Sequence, residues 1–165
     1  MKRKIIQLPV LLCVMLCQSA CTDKQPDVDE FYTQKGGFDF ARIPLIKPYE
    51  AVVPATGNEY WLIHSVTDTL LFSIPGVKQL SVSDNKMIFV HGVNTAINYQ
   101  NVKEGWFVLM PAKNLVKAFL KHENYLNWLH DHGIEKEPHL IDPDNIYRYF
   151  KNHDTIDWQE INKRR

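Results

Sequence analysis

Between Glu59 and Met110 the chain consists of short β-prone runs, and at Pro111 the hydrophobic period changes. Tyr60-Trp61-Leu62-Ile63-His64 and Thr69-Leu70-Leu71-Phe72-Ser73-Ile74 are aromatic and branched segments, with Ser65-Val66-Thr67-Asp68 placed to turn the chain between them. Val77, Leu80 and Val82 lead to Asp84-Asn85, after which Lys86-Met87-Ile88-Phe89-Val90-His91 resumes the pattern. A polar pair between two such runs is a hairpin signature, because Asn and Asp tolerate positive φ. Gly105 to Met110 reads as a further strand. Upstream, Pro44, Pro48 and Pro54 forbid a helix and favour edge segments, with short strands around Ala41–Ile46 and Tyr49–Val53.

After Pro111, Leu115, Val116, Phe119 and Leu120 recur at helical spacing, and Tyr125, Leu126, Trp128 and Leu129 continue it beyond the polar break Lys121-His122-Glu123-Asn124. Gly133 suits the end of that second helix. A third helix starts at Asp142-Pro143, where Asp caps and Pro occupies the first turn, and Ile146, Tyr149 and Phe150 form its apolar face. Strands first and helices later imply an α+β domain: an antiparallel meander of five or six strands, with two or three C-terminal helices packed on one face or end. Asp154 to Trp158 closes the domain.

The first twenty residues belong to a different category. Lys2-Arg3-Lys4 is followed by an apolar stretch from Ile5 to Cys17 and by Gln18-Ser19-Ala20. This is the layout of a secretory signal, and the apolar run is shorter than the roughly 20 residues a spanning helix needs. Ser19-Ala20-Cys21 resembles the end of the bacterial lipobox, with Gln18 where that motif usually has an aliphatic residue. The resemblance implies a lipoprotein that is cleaved before Cys21 and acylated on it, palmitate included. It covers about twenty residues and says nothing of the domain behind them. The alternative is an ordinary secretory signal cut near Ala20. On this reading the chain divides into a signal peptide at 1–20, an acidic lipidated tether at 21–35, a single domain at 36–160 and a basic tail at 161–165. The segment from Thr22 to Glu30 is too polar to bury surface and serves as a spacer.

Processing also changes the charge. The chain carries 19 basic and 19 acidic residues, and no Asp or Glu lies among the first twenty. Removing them leaves 16 basic against 19 acidic, a net charge near −3. An acidic body offers no basic footprint for nucleic acid and no electrostatic hold on anionic lipid. All three cysteines, Cys13, Cys17 and Cys21, lie at the N-terminus, so the domain has neither a disulfide nor a thiol nucleophile.

Few residues carry a chemical signature. His130 and His132, with His122 and His139 nearby, are the one candidate metal cluster, but i and i+2 do not share a helical face, and histidine in a last helical turn is favoured by the helix dipole. Asp142-Pro143-Asp144-Asn145 resembles a calcium loop only at its start, since Tyr147 stands where the glycine is needed. His64 and His91 fall on strands without a serine assignable from spacing. Asp154 and Asp157 lie in a polar terminal stretch. No nucleophile elbow, phosphate loop or dinucleotide fingerprint occurs. No cofactor is expected.

Trp61, Trp106, Trp128 and Trp158 fall mostly at core spacings. Gly92 to Lys103 reads as a long polar loop, and Asn94, Asn98 and Asn101 on it are the expected partner contacts. The resulting expectation is a non-enzymatic binding module of the cell envelope, on the periplasmic or outer-membrane face, with a protein partner. One form of it is immunity-type neutralisation of a toxin. A structural subunit of an envelope complex and a small His-dependent metalloenzyme are the alternatives.

Overall fold

The alternation between Tyr60 and Met110 becomes a sheet in which every strand pairs with the next. In a computed structural model that describes residues 28–53, 60–67 and 73–164, seven strands lie in sequence order, all antiparallel. They are β1 (Ala41–Pro44), β2 (Tyr49–Val53), β3 (Trp61–Ser65), β4 (Ser73–Ser83), β5 (Met87–Ile97), β6 (Gln100–Met110) and β7 (Leu115–Phe119). Three helices follow: α1 (His122–Asp131), α2 (Pro143–Lys151) and α3 (Trp158–Lys163). The α+β meander with C-terminal helices is the architecture read from the pattern, with seven strands among the described residues rather than five or six. Residues 68–72, the start of the run assigned to Thr69–Ile74, lie outside the described residues.

Two segments differ from expectation. Leu115 to Leu120 begins with an edge strand, not a helix, and the polar stretch from His122 is the first turn of α1. The spacing was ambiguous because residues four apart share a face in both structures. In β7, Leu115 and Phe119 pack on one layer and Val116 on the other, so cover on both faces removes the simple alternation. The second difference is Gly92–Lys103, a hairpin and not a loop. β5 and β6 stay in register from Ile88↔Leu109 to Ile97↔Gln100 and turn on Asn98-Tyr99. Both turn residues have positive φ, as a two-residue hairpin turn of this hand requires. The polar composition belongs to the exposed side of the ribbon, while Thr95 and Ile97 are buried on the other side.

Glycine makes this fold-over possible. Gly92 and Gly105 face each other across β5 and β6. A Cβ on Gly105 would come within 2.9 Å of Ile97 Cδ1, and one on Gly92 within 3.0 Å of the Thr95 side chain.

The helices cover both faces of the sheet instead of one. In β5, Ile88 and Val90 enter the larger core with Ile146, Phe150, Trp158 and Ile161 of α2 and α3. Phe89, between them, enters a smaller core with Val108, Met110 and Tyr125 and Leu129 of α1. Asp142 caps α2 by accepting from Asp144 N at 2.9 Å, with Pro143 in the first turn. α1 ends with Gly133 at φ +75, where Gly133 N donates to His130 O and Ile134 N to Leu129 O. That paired closure satisfies the last carbonyls and turns the chain away.

The chain must then cross from one face to the other. It does so around the stretch of β4 that β3 is too short to pair. There Leu80 and Ile141 exchange both backbone hydrogen bonds at 2.9 Å, and the Asn162 amide donates to Val82 O at 2.7 Å. The crossover, residues 134–141, therefore runs over β4 on the α1 side before α2 begins.

Candidate functional site

Successive strands place one side chain each in a row beneath that crossover. Gln79 of β4 opposes His91 of β5, His91 opposes Trp106 of β6, and Trp106 opposes Phe119 of β7. The row lies on the α1 face, and α1 begins at its edge. His122 stacks on Trp106 with ring centroids 5.0 Å apart, and His91 stacks on Trp106 at 5.2 Å. An indole between two imidazoles forms the floor and one wall of a cleft. The crossover residues Lys136 to Leu140 form the other wall, and the cavity is about 670 Å³.

Each imidazole is oriented by a carboxylate. His91 Nε2 lies 2.8 Å from Glu104 Oε1, and His122 Nε2 lies 2.7 Å from Glu137 Oε1. A neutral ring with its Nε2 proton held by a carboxylate leaves Nδ1 as an acceptor. Neither Nδ1 has a protein partner among the described residues. The Gln79 amide, Lys136 and His139 add adjustable polar groups at the rim. Beneath the site, the hydroxyl of Tyr125 is buried without a hydrogen bond among the described residues, and its ring stacks with His122 at 5.9 Å. Burial first, and the charge of Glu137 second, hold this phenol far above its ordinary range.

The residues singled out from sequence fall elsewhere or play smaller parts. His130 is exposed, and its Nδ1 reaches only Asp131, at 4.0 Å. His132 stacks on Trp128 at 3.8 Å while its Nδ1 bonds Trp128 O at 2.8 Å, so this ring closes a helix end. Among the described residues no three His, Cys, Asp or Glu side chains are grouped to hold a metal ion. Asp142 and Asp157 are helix caps. Trp61 and Trp158 are core residues whose indole N–H groups donate to Asp144 and to Pro44 O.

His64 completes a buried array with Glu50 and Arg42. Its Nε2 lies 2.9 Å from Glu50 Oε1, while Arg42 bonds the other oxygen and the carbonyls of Phe31 and Gln34. The array holds the segment before β1 against the sheet.

Asn94, Asn98 and Asn101 are exposed on the β5–β6 ribbon, and none of them lines the Trp106 cleft. Cys21 lies outside the described residues. Among those described, no helix is long and apolar enough to cross a membrane.

No family model, curated protein or solved structure matches this chain.

The sequence groups His122 and His139 with His130 and His132 and offers His91 and Trp106 separately; it does not join these to each other, and Glu104 and Glu137 carry no signal in it. The available signal was parity. His91 and Trp106 sit at facing positions of two neighbouring strands once the Asn98-Tyr99 turn fixes the register, but that turn lay inside the segment read as a loop.

Proposed function

We propose that the protein is a non-enzymatic binding module held at a cell-envelope membrane through a lipid on Cys21, and that it engages a protein partner at the cleft over Trp106. The observation that carries the binding half is the His91–Trp106–His122 column. A concave, mostly apolar wall with a few oriented polar groups is the general form of a recognition site. Fixing each imidazole with its own carboxylate reduces the entropy lost when a partner docks. The anchoring half is supported by the signal-like N-terminus and the lipobox-like Ser19-Ala20-Cys21. Neutralisation of a basic toxin is a narrower version of this reading, favoured by the net charge near −3 left after removal of the first twenty residues, which would steer a basic protein toward the domain.

Two measurements test the halves separately. A photo-crosslinking residue at His139 of the full chain in its native cell should capture one discrete partner, while the same residue at Lys86, in the β4–β5 turn, should not. Equal capture at both positions, or none at His139, would remove the cleft from the proposal. Cys21→Ser should release the protein from the membrane fraction and block lipid-dependent maturation. Persistent membrane association of the Cys21→Ser chain through an uncleaved signal would remove the lipid anchor.

A further inference from the structure

The two edges of the sheet are finished differently. The outer edge of β1 is covered, because Arg42 N donates to Lys35 O at 3.2 Å and Gly36 forms a bridge with Ala41. β7 pairs with β6 along its inner edge, and among the described residues no backbone hydrogen bond reaches its outer edge. An open edge presents a row of unpaired donors and acceptors that can template another strand.

Charge and shape both distinguish this edge. Lys113, Lys117 and Lys121 are exposed just before, within and just after β7, and none forms an ion pair among the described residues. No acidic residue occurs between Glu104 and Glu123. A chain with 19 basic and 19 acidic residues thus places an unopposed positive strip on a strand whose outer edge is open among the described residues. Beside the strip, on the larger-core side of the sheet, a groove of about 530 Å³ runs along Val116 and Ala118, past Phe107 and Ile97, to Tyr99. Tyr99 is fully exposed, yet it holds φ +63 in a turn position where glycine relieves the strain. A bulky residue kept in such a conformation without burial points to a use outside the fold.

We propose that the outer edge of β7 takes up an extended acidic segment of a partner protein as an eighth strand, with alternate side chains lying in the groove toward Tyr99. The backbone ladder would supply affinity, and the groove and lysines would supply selectivity. The same lysines oppose pairing with a second copy, since antiparallel β7–β7 contact brings like charges together. This site is separate from the Trp106 cleft and does not depend on Cys21.

The test uses the full chain and a fluorescein-labelled octapeptide of alternating Val and Glu, followed by anisotropy and by amide exchange across residues 115–119. The peptide should bind in a salt-sensitive manner and protect those amides, whereas its Val/Lys counterpart should not. N-methylation of alternate amides along one edge should abolish binding. Lys117→Glu should weaken the Val/Glu peptide at least tenfold and admit the Val/Lys peptide. The double variant Lys113→Glu/Lys121→Glu, which leaves β7 itself unchanged, should weaken the Val/Glu peptide in the same direction. Equal binding of both peptides, or no protection of 115–119 at millimolar Val/Glu peptide, would overturn the proposal. So would a self-associated species in sedimentation that Lys117→Glu dissolves, because the occupant would then be a second copy.

Discussion

The Nε2 of His122 lies 2.7 Å from Oε1 of Glu137, tying the first residue of α1 to the crossover that has already left that helix. The side chains are 43% and 39% exposed, so the pair itself contributes no more than about 1 kcal/mol. Its consequence is geometric. The carboxylate fixes the distance between the His122 wall and the Lys136–Leu140 wall, while the Leu80–Ile141 bridge fixes the far end of the crossover.

Glu137→Gln should therefore loosen the cleft without loosening the domain. Amide exchange should quicken across residues 134–140, and Ile141, held by Leu80 O at 2.9 Å, should stay protected. Urea unfolding should show a loss below about 1 kcal/mol. A larger global loss, or unchanged exchange in the crossover, would show that this contact does not set the cleft.

Arg42 behaves in the opposite way. It is buried with Glu50, and its guanidinium also holds the carbonyls of Phe31 and Gln34. Arg42→Met leaves a buried carboxylate with only His64 beside it and should lower stability by about 3–5 kcal/mol. Arg42→Met/Glu50→Leu removes both charges and should recover most of that loss in urea titrations. Recovery by the double variant would distinguish the stranded charge from lost packing around the Arg42 stem.

The fold was more legible than the site because local chemistry decided most elements. The turn at Asp84-Asn85, the Asp142-Pro143 helix start and the Gly133 helix end are all written in short sequence spans, and all three occur. Elements decided by non-local cover were not legible. Nothing within Leu115–Leu120 reveals that layers will pack on both sides of it. Nothing within Gly92–Lys103 reveals that Ile97 will pack on Gly105. The cleft depends on exactly those long-range facts, since His91, Trp106 and His122 meet only after the hairpin and β7 are placed. Histidine clustering in sequence pointed instead to His130 and His132, whose proximity is a property of one helix end.

Tyr125 should make the protein sensitive to alkali. Burial, and then Glu137, raise its pKa, so the folded state retains a proton that the unfolded chain releases near pH 10. Tyr49 and Tyr149 are raised as well, both mainly by burial. Folded states with raised phenol pKa values are fully stabilised below the unfolded pKa and lose that stability as pH rises past it. Urea midpoints should thus be flat between pH 8 and 9 as far as tyrosines are concerned, and fall above pH 10. Tyr125→Phe should lessen that fall. At neutral pH it should also stabilise by about 1 kcal/mol, because it deletes a buried hydroxyl that has no hydrogen bond among the described residues. A stability loss on Tyr125→Phe at pH 7 would contradict the orphaned hydroxyl.

Tyr99→Gly sets stability against recognition. At φ +63 a tyrosine pays a steric penalty of roughly 1–2 kcal/mol that glycine avoids, partly offset by the greater freedom glycine has in the unfolded chain, about 0.5–1 kcal/mol. The neighbour Asn98, at φ +50, already suits the first position of the turn, so the variant creates the Asn-Gly pair that such hairpins prefer. The net expectation is a gain of about 0.5–1 kcal/mol in urea unfolding. The same change deletes the ring at the end of the β7 groove and should weaken the Val/Glu octapeptide several-fold while leaving its dependence on Lys117 intact. A variant that gains stability and keeps full peptide affinity would show that the ring plays no part in docking, and the strain at residue 99 would then need a different explanation.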